Sequence, residues 1–173
     1  KYSDKYTIAD ATGFVYAGHT LLGWAKVNNA TSAEFTFGQE IASYDTVGDT
    51  TYYAVWQANS FNISYSAGTM DSSGNALVGE VTGTMTDSTA TYDSSLTLRN
   101  NGYTLIGYNF NGWSLTDGGS VTYPTLNLTA DQVNKLYNYG TAGANKTLYA
   151  SWESIIYTLG VTVQEFAESS TDA

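Results

Sequence analysis

The chain of 173 residues is 42% hydrophobic and 14% aromatic, enough apolar mass for one medium core or two small ones. Sixteen acidic against six basic residues give a formal net charge of −10. That balance leaves no basic surface to displace phosphate counterions and argues against nucleic acid and anionic lipid as partners. Cysteine is absent, so disulfides, thiolate metal sites and a thiol nucleophile are excluded, and no apolar run approaches the roughly 20 residues that span a bilayer.

Charged residues make up only 13% of the chain, while Ser, Thr, Gly, Asn and Tyr are abundant. Thr, Tyr and Val favour pleated strands and Gly and Asn the turns between them, which predicts a β-rich fold. The sequence starts at Lys1 with neither Met nor a signal peptide, as a processed form or an excised fragment does.

In chain order, a first aromatic block runs from Gly13 to the pair Gly23-Trp24, and a closing block from Thr51 to Trp56. Phe61-Asn62-Ile63-Ser64-Tyr65 alternates apolar and polar residues as a half-buried strand does. Ser95 to Leu98 is a short alternating strand that stops at the turn Arg99-Asn100-Asn101-Gly102. Tyr103 to Trp113 reads as a further strand. Thr129-Ala130-Asp131-Gln132 is a capping box, and Val133, Leu136 and Tyr137 follow at helical spacing before Gly140. Gln39 to Tyr44 stands in the same place earlier in the chain and predicts a single helical turn. Lys146 to Trp152 predicts a final strand.

These blocks repeat in one order. Gly13-Phe14 through Gly18 to Gly23-Trp24 matches Gly102-Tyr103 through Gly107 to Gly112-Trp113 without a gap. Thr51-Tyr52-Tyr53-Ala54-Val55-Trp56 matches Thr147-Leu148-Tyr149-Ala150-Ser151-Trp152, and Tyr2 to Ile8 matches Tyr92 to Leu98. The two tryptophans of a copy are 32 residues apart in the first and 39 in the second, so the extra length falls in the connection between fixed flanks. The expected fold is α+β and β-rich: two tandem repeats, each a small mixed sheet with one short helix, plus a C-terminal β-strand. The expected divisions are 1–57 for a first repeat lacking its opening strand, 58–153 for a complete second repeat, and 154–173 for the extra strand and an acidic tail.

The motifs resemble the Listeria–Bacteroides repeat, related to the B-repeat of internalins. The matching residues are Gly102-Tyr103, Gly112-Trp113 and Leu148-Tyr149-Ala150-Ser151-Trp152, with Gly13-Phe14, Gly23-Trp24 and Tyr52-Tyr53-Ala54-Val55-Trp56 in the first copy. The resemblance covers most of the chain. It implies a β-grasp-like fold and a role as a stalk or adhesion module of large, extracellular surface proteins, with no common catalytic residues to carry over.

Residues with chemical potential are few. His19, the one histidine, aligns with Tyr108 inside the repeated block, where it replaces an aromatic. Asp45, Asp49, Asp71, Asp87, Asp93 and Asp117 sit in Gly/Ser/Thr-rich turns, where aspartate usually bonds its own backbone. A weak cation site from Asp71, Asn75 or Asp117 is the remaining metal reading. No catalytic, metal or cofactor site is expected. Trp24, Trp56, Trp113 and Trp152 recur in register and read as the structural core of the repeats. The non-repeated Tyr44, Tyr123 and Tyr139 are the better candidates for an exposed glycan surface. Lys26, Lys135 and Lys146 are candidate donors for Lys–Asn isopeptide bonds, with no local feature singling one out.

After Trp152, Ile155, Tyr157, Leu159, Val161 and Val163 alternate strictly with smaller or polar residues where a third repeat would begin. Three readings follow: a fragment of a longer array, a strand that folds back into the first unit, or a donor strand for the next molecule. The expected function is a non-catalytic module of a microbial surface or secreted protein, whose partners are neighbouring repeats or copies of itself. A carbohydrate-binding module that meets a glycan or host surface is the alternative.

Overall fold

The computed structural model describes residues 5–42 and 50–161. Among the described residues, twelve strands and one helix follow in the order β1 (Lys5–Thr7), β2 (His19–Ala25), β3 (Glu40–Ala42), β4 (Tyr53–Ala58), β5 (Ser60–Ser66), β6 (Thr82–Gly83), β7 (Ser88–Thr91), β8 (Leu96–Thr97), β9 (Tyr103–Thr104), β10 (Tyr108–Ser114), β11 (Asn127–Leu128), α1 (Ala130–Asn138) and β12 (Lys146–Ser154).

The centre of the molecule is a four-stranded sheet in the order β10-β12-β5-β7. β12 runs antiparallel to β10 and parallel to β5, and β5 runs antiparallel to β7. A parallel pair cannot be joined by a tight turn, so everything between β5 and β12, α1 included, forms the crossover. The inward residues of β5, Phe61, Ile63 and Tyr65, are buried with Trp113, Leu128, Val133, Leu136, Leu148 and Trp152 in one cluster. Two-stranded ladders β8-β11 and β6-β9 flank it.

α1 forms for the reason its sequence gives. The Thr129 hydroxyl accepts from the Gln132 N–H at 3.3 Å, and the Gln132 side chain accepts from the Thr129 N–H at 2.9 Å. Val133, Leu136 and Tyr137 are its buried face.

The first half of the chain holds two smaller ladders, β1-β3 and β2-β4. Among the described residues its buried hydrophobic cluster is Ile8, Leu21 and Trp24.

Two tandem α+β, β-grasp-like repeats are therefore not what the chain builds. The fold is predominantly β, with one helix among the described residues. The helical turn expected over Gln39–Tyr44 is replaced, as far as Ala42, by strand β3, which pairs with β1 and places Glu40 against Lys5 at 2.8 Å; Tyr44 lies outside the described residues. That stretch has no capping box to nucleate a helix, and β1 offers it a partner ladder. The single strand expected over Tyr103–Trp113 is broken into β9 and β10 by a turn at Leu105–Gly107. The expected C-terminal strand is also absent: residues 155–161 follow β12 without forming a ladder, because a strand exists only with a partner. Val163 lies outside the described residues.

Candidate functional site

The duplicated motifs fold into duplicated geometry. In β2-β4 the register shifts between Leu21 and Gly23, which leaves Leu22 unpaired; in β10-β12 it shifts between Phe110 and Gly112, which leaves Asn111 unpaired. Each is a β-bulge placed one residue before the Gly-Trp pair. The glycine is required by the backbone: φ is 146° at Gly23 and 139° at Gly112, and a Cβ would run into the carbonyl oxygen of Phe35 or, at 2.6 Å, of Tyr123.

The tryptophan after each bulge pairs with that same neighbour. Trp24 N–H donates to the Phe35 carbonyl at 3.0 Å and Trp113 N–H to that of Tyr123 at 3.1 Å. The indoles also agree. Trp24 Nε1 donates to the Ala9 carbonyl at 3.1 Å, and Trp113 Nε1 to that of Arg99 at 3.3 Å.

The closing tryptophans differ. Trp152 is buried, and its indole Nε1 donates to the Ala67 carbonyl, just past β5, at 2.8 Å. Trp56 is half-buried, and its indole N–H has no acceptor among the described residues. The difference extends along the strand. Leu148, Ala150 and Trp152 of β12 are buried beside β5, whereas their counterparts Tyr52, Ala54 and Trp56 are only partly buried. Among the described residues, nothing pairs with the edge of β4 that lies opposite β2.

Gly18 and His19 form the joint between the two halves. The His19 ring stacks on Tyr16 at 4.0 Å and meets the edge of Tyr92 at 5.6 Å, and Nδ1 donates to the Ala17 carbonyl at 2.9 Å. Its Nε2 lies 3.6 Å from the Asp93 carboxylate. A Cβ at Gly18 would strike the Tyr92 ring. Thr20 donates to Asn59 at 2.6 Å, and Asn59 Nδ2 to the Tyr137 hydroxyl at 3.1 Å. His19 is therefore a packed aromatic at the joint.

The acidic residues suggested as cation ligands are taken up by N–H donors. Asp71 is buried and accepts from the Ser73 and Asn75 backbone at 2.9 Å each; those bonds, led by Asn75, hold its pKa below the ordinary value against burial. Asp117 accepts from Thr69 N–H at 2.9 Å and Thr69 O–H at 2.6 Å, and from Met70 N–H at 3.2 Å. Burial pushes its pKa up, but these bonds outweigh it and leave it lowered. A pocket of inward-pointing N–H groups suits a carboxylate and repels a cation. No group of three metal-ligating side chains occurs among the described residues.

Of the proposed glycan-facing tyrosines, Tyr123 is buried against Trp113, Tyr44 lies outside the described residues, and Tyr139 is exposed. Tyr139 lines a shallow depression of about 310 Å³ with Tyr149 and Leu115. Lys146 is buried and donates to the Tyr139 and Thr141 carbonyls at 2.6 and 2.7 Å, which ties down the chain after α1. Lys135 pairs with Asp131, and Lys26 lies over the Phe35 ring.

The candidate donor residues are displayed openly. Ile155 is half-buried, while Tyr157, Leu159 and Val161 are 78%, 86% and 75% exposed. Sequence reasoning missed the bulge, whose signal is the repeated Gly-Trp pair, and the Gly18–Tyr92 joint, which no local pattern marks. No helix among the described residues is long and apolar enough to cross a membrane. No protein-family model matches the chain, and neither the curated proteins nor the solved structures yield a match.

Proposed function

We propose that this chain is a non-catalytic structural module of a microbial surface or secreted protein, a spacer or filament subunit built from repeated β units. The observation that carries this reading is the use of three of the four repeated tryptophans. Trp24, Trp113 and Trp152 are buried and spend their indole N–H groups on backbone carbonyls inside the repeats. Aromatic side chains committed in this way staple a unit together and offer no stacking platform to a sugar. The resemblance to Listeria–Bacteroides repeats supports an extracellular setting, as does the acidic, cysteine-free composition.

The same choice of residues argues against chemistry. The one histidine packs against two tyrosines, and the Asp71 and Asp117 carboxylates each accept from backbone N–H groups.

Exposed Tyr139 beside Tyr149 favours carbohydrate binding as the second reading. Screening the whole chain against a glycan array, followed by titration calorimetry on any hit, separates the two. The structural reading expects no saturable binding. Saturable binding to a defined glycan that Tyr139→Ala abolishes would replace it with a carbohydrate-binding module.

A further inference from the structure

The stretch 50–53 that leads into β4, unpaired on one side among the described residues, and the exposed stretch after β12 are two halves of one missing ladder. In the second repeat, β5 lies parallel to β12, with Ile63, Ser64, Tyr65 and Ser66 opposite Lys146, Thr147, Leu148 and Tyr149. Repeat register places Thr50, Thr51, Tyr52 and Tyr53 at those β12 positions. The first repeat has no described strand beside them, and the residues that would face it, Tyr52, Ala54 and Trp56, stay partly open.

The stretch after β12 repeats β5 without a gap. Counting from Trp56 and Trp152, Tyr157, Leu159 and Val161 stand where Phe61, Ile63 and Tyr65 do. Those three β5 residues are buried in the main core, whereas their counterparts are open to solvent.

The start of the stretch is already held in the same way. Asn59 N–H donates to the Gly18 carbonyl and Ile155 N–H to that of Gly107, both at 2.8 Å, and Gly18 and Gly107 are repeat partners. β5 is thus launched from the first repeat to complete the second, and 156–161 is launched from the second repeat in the same manner.

We infer that residues 156–161 of one chain add as a parallel strand alongside residues 50–53, the stretch that leads into β4, in a second copy of the chain. Leu159, Gly160 and Val161 then lie opposite Thr50, Thr51 and Tyr52 of that copy. Tyr157, Leu159 and Val161 enter its first repeat. The junction between chains copies the junction within the chain, so each copy has one donor and one acceptor, and the contact is heterologous. Such a contact continues head to tail into a filament unless its rotation closes a ring. The pairing also covers an apolar segment and a bare edge that would otherwise invite indiscriminate association. The inference deepens the structural reading above and rests on it. Glycan binding would overturn that reading and leave the strand untouched, and a monomeric chain would do the reverse.

Two experiments on the full chain test it. Light scattering at rising concentration expects a molar mass that climbs past several chains, and a loss of that climb in the double variant Leu159→Asp/Val161→Asp. Both positions are exposed, so the variant keeps its fold, checked by circular dichroism. A monomeric wild-type chain, or a variant that assembles equally well, overturns the inference.

The register is tested by cysteines, since the chain has none of its own. Ser64 and Thr147 hydroxyls meet at 3.1 Å, and their counterparts are Gly160 and Thr51. Chains carrying Gly160→Cys, mixed with chains carrying Thr51→Cys and oxidised, are expected to give a mixed disulfide dimer in preference to either homodimer. Leu159→Cys, on the opposite strand face, is expected to lose that preference. A chain carrying both Gly160→Cys and Thr51→Cys is expected to link to other chains. A disulfide closed within one chain shows the strand folding back and overturns the inference, as does equal linkage at Leu159→Cys.

Discussion

Ile155 donates its backbone N–H to the Gly107 carbonyl at 2.8 Å, and among the described residues no later backbone N–H is bonded to the strands before it. Everything after it, as far as Val161, is exposed. The bond fixes where the free segment leaves the sheet, just as the bond from Asn59 to Gly18 fixes the start of β5.

The two bulge glycines set the register of both strand pairs. Gly112→Ala is expected to cost about 2–3 kcal/mol, from a positive φ forced on a Cβ and from its collision with the Tyr123 carbonyl. Gly107→Ala, in open space although also at positive φ, is expected to cost less. Urea unfolding followed by tryptophan fluorescence reads both.

The four tryptophans are unequal. Trp113→Ala and Trp152→Ala each empty a site in the main core and are expected to lose about 3–5 kcal/mol. Trp56→Ala, half-buried at an open edge, is expected to lose about 1 kcal/mol when measured on dilute chains. Equal losses at Trp56 and Trp152 would mean that the β4 edge is covered in the monomer.

The carboxylates of Asp71 and Asp117 give the fold an acid limit. Their folded pKa values lie below the ordinary 3.8. The stability they contribute is therefore present above pH 3.8 and is lost as pH falls through the lower folded values. Melting temperature is expected to hold from pH 7 to about 5 and to fall steeply below 4, since a group shifted downward is still ionised at pH 5. Asp117→Asn is expected to lower the plateau and flatten the fall. An unchanged slope in the variant would place the acid sensitivity elsewhere.

The joint at Tyr92 lends the small first core some of its stability. Tyr92 packs on His19 at 5.6 Å and on Tyr137 at 5.0 Å, one partner from each half of the chain. Tyr92→Ala is expected to split calorimetric unfolding into two transitions, with the first half melting earlier. A single transition at a lower temperature would show that the halves stay coupled through Thr20, Asn59 and Tyr137.

Much of this architecture is legible in the sequence. The alternation of Phe61 to Tyr65 and the Thr129–Gln132 box lead directly to β5 and α1, because each rests on contacts between residues close in sequence, whereas the Gly-Trp pairs mark the duplication without announcing the two bulges they sit on. The misreadings come from contacts at long range. The stretch from Gln39 has no helix signal of its own; analogy with α1 suggested one, and pairing with β1 decided otherwise. Tyr123 reads as a surface aromatic until the bulge at Asn111 brings it against Trp113. Nothing local to Asp117 announces the three donors of Thr69 and Met70, which arrive from the loop after β5. The stretch from Ile155 to Val161 has a strand's pattern without a ladder, because pattern reports what a segment would bury and not whether a partner is at hand.

The most direct test of strand exchange is hydrogen exchange on the intact chain at low and high concentration. Free chains are expected to exchange rapidly at 156–161 and at the outward amides of 50–53. On concentration, both segments are expected to slow together by about tenfold or more, and Leu159→Asp/Val161→Asp to abolish both changes. Protection at 156–161 without protection at 50–53, or no protection in either, would contradict the pairing of one chain's free segment with the next chain's open edge.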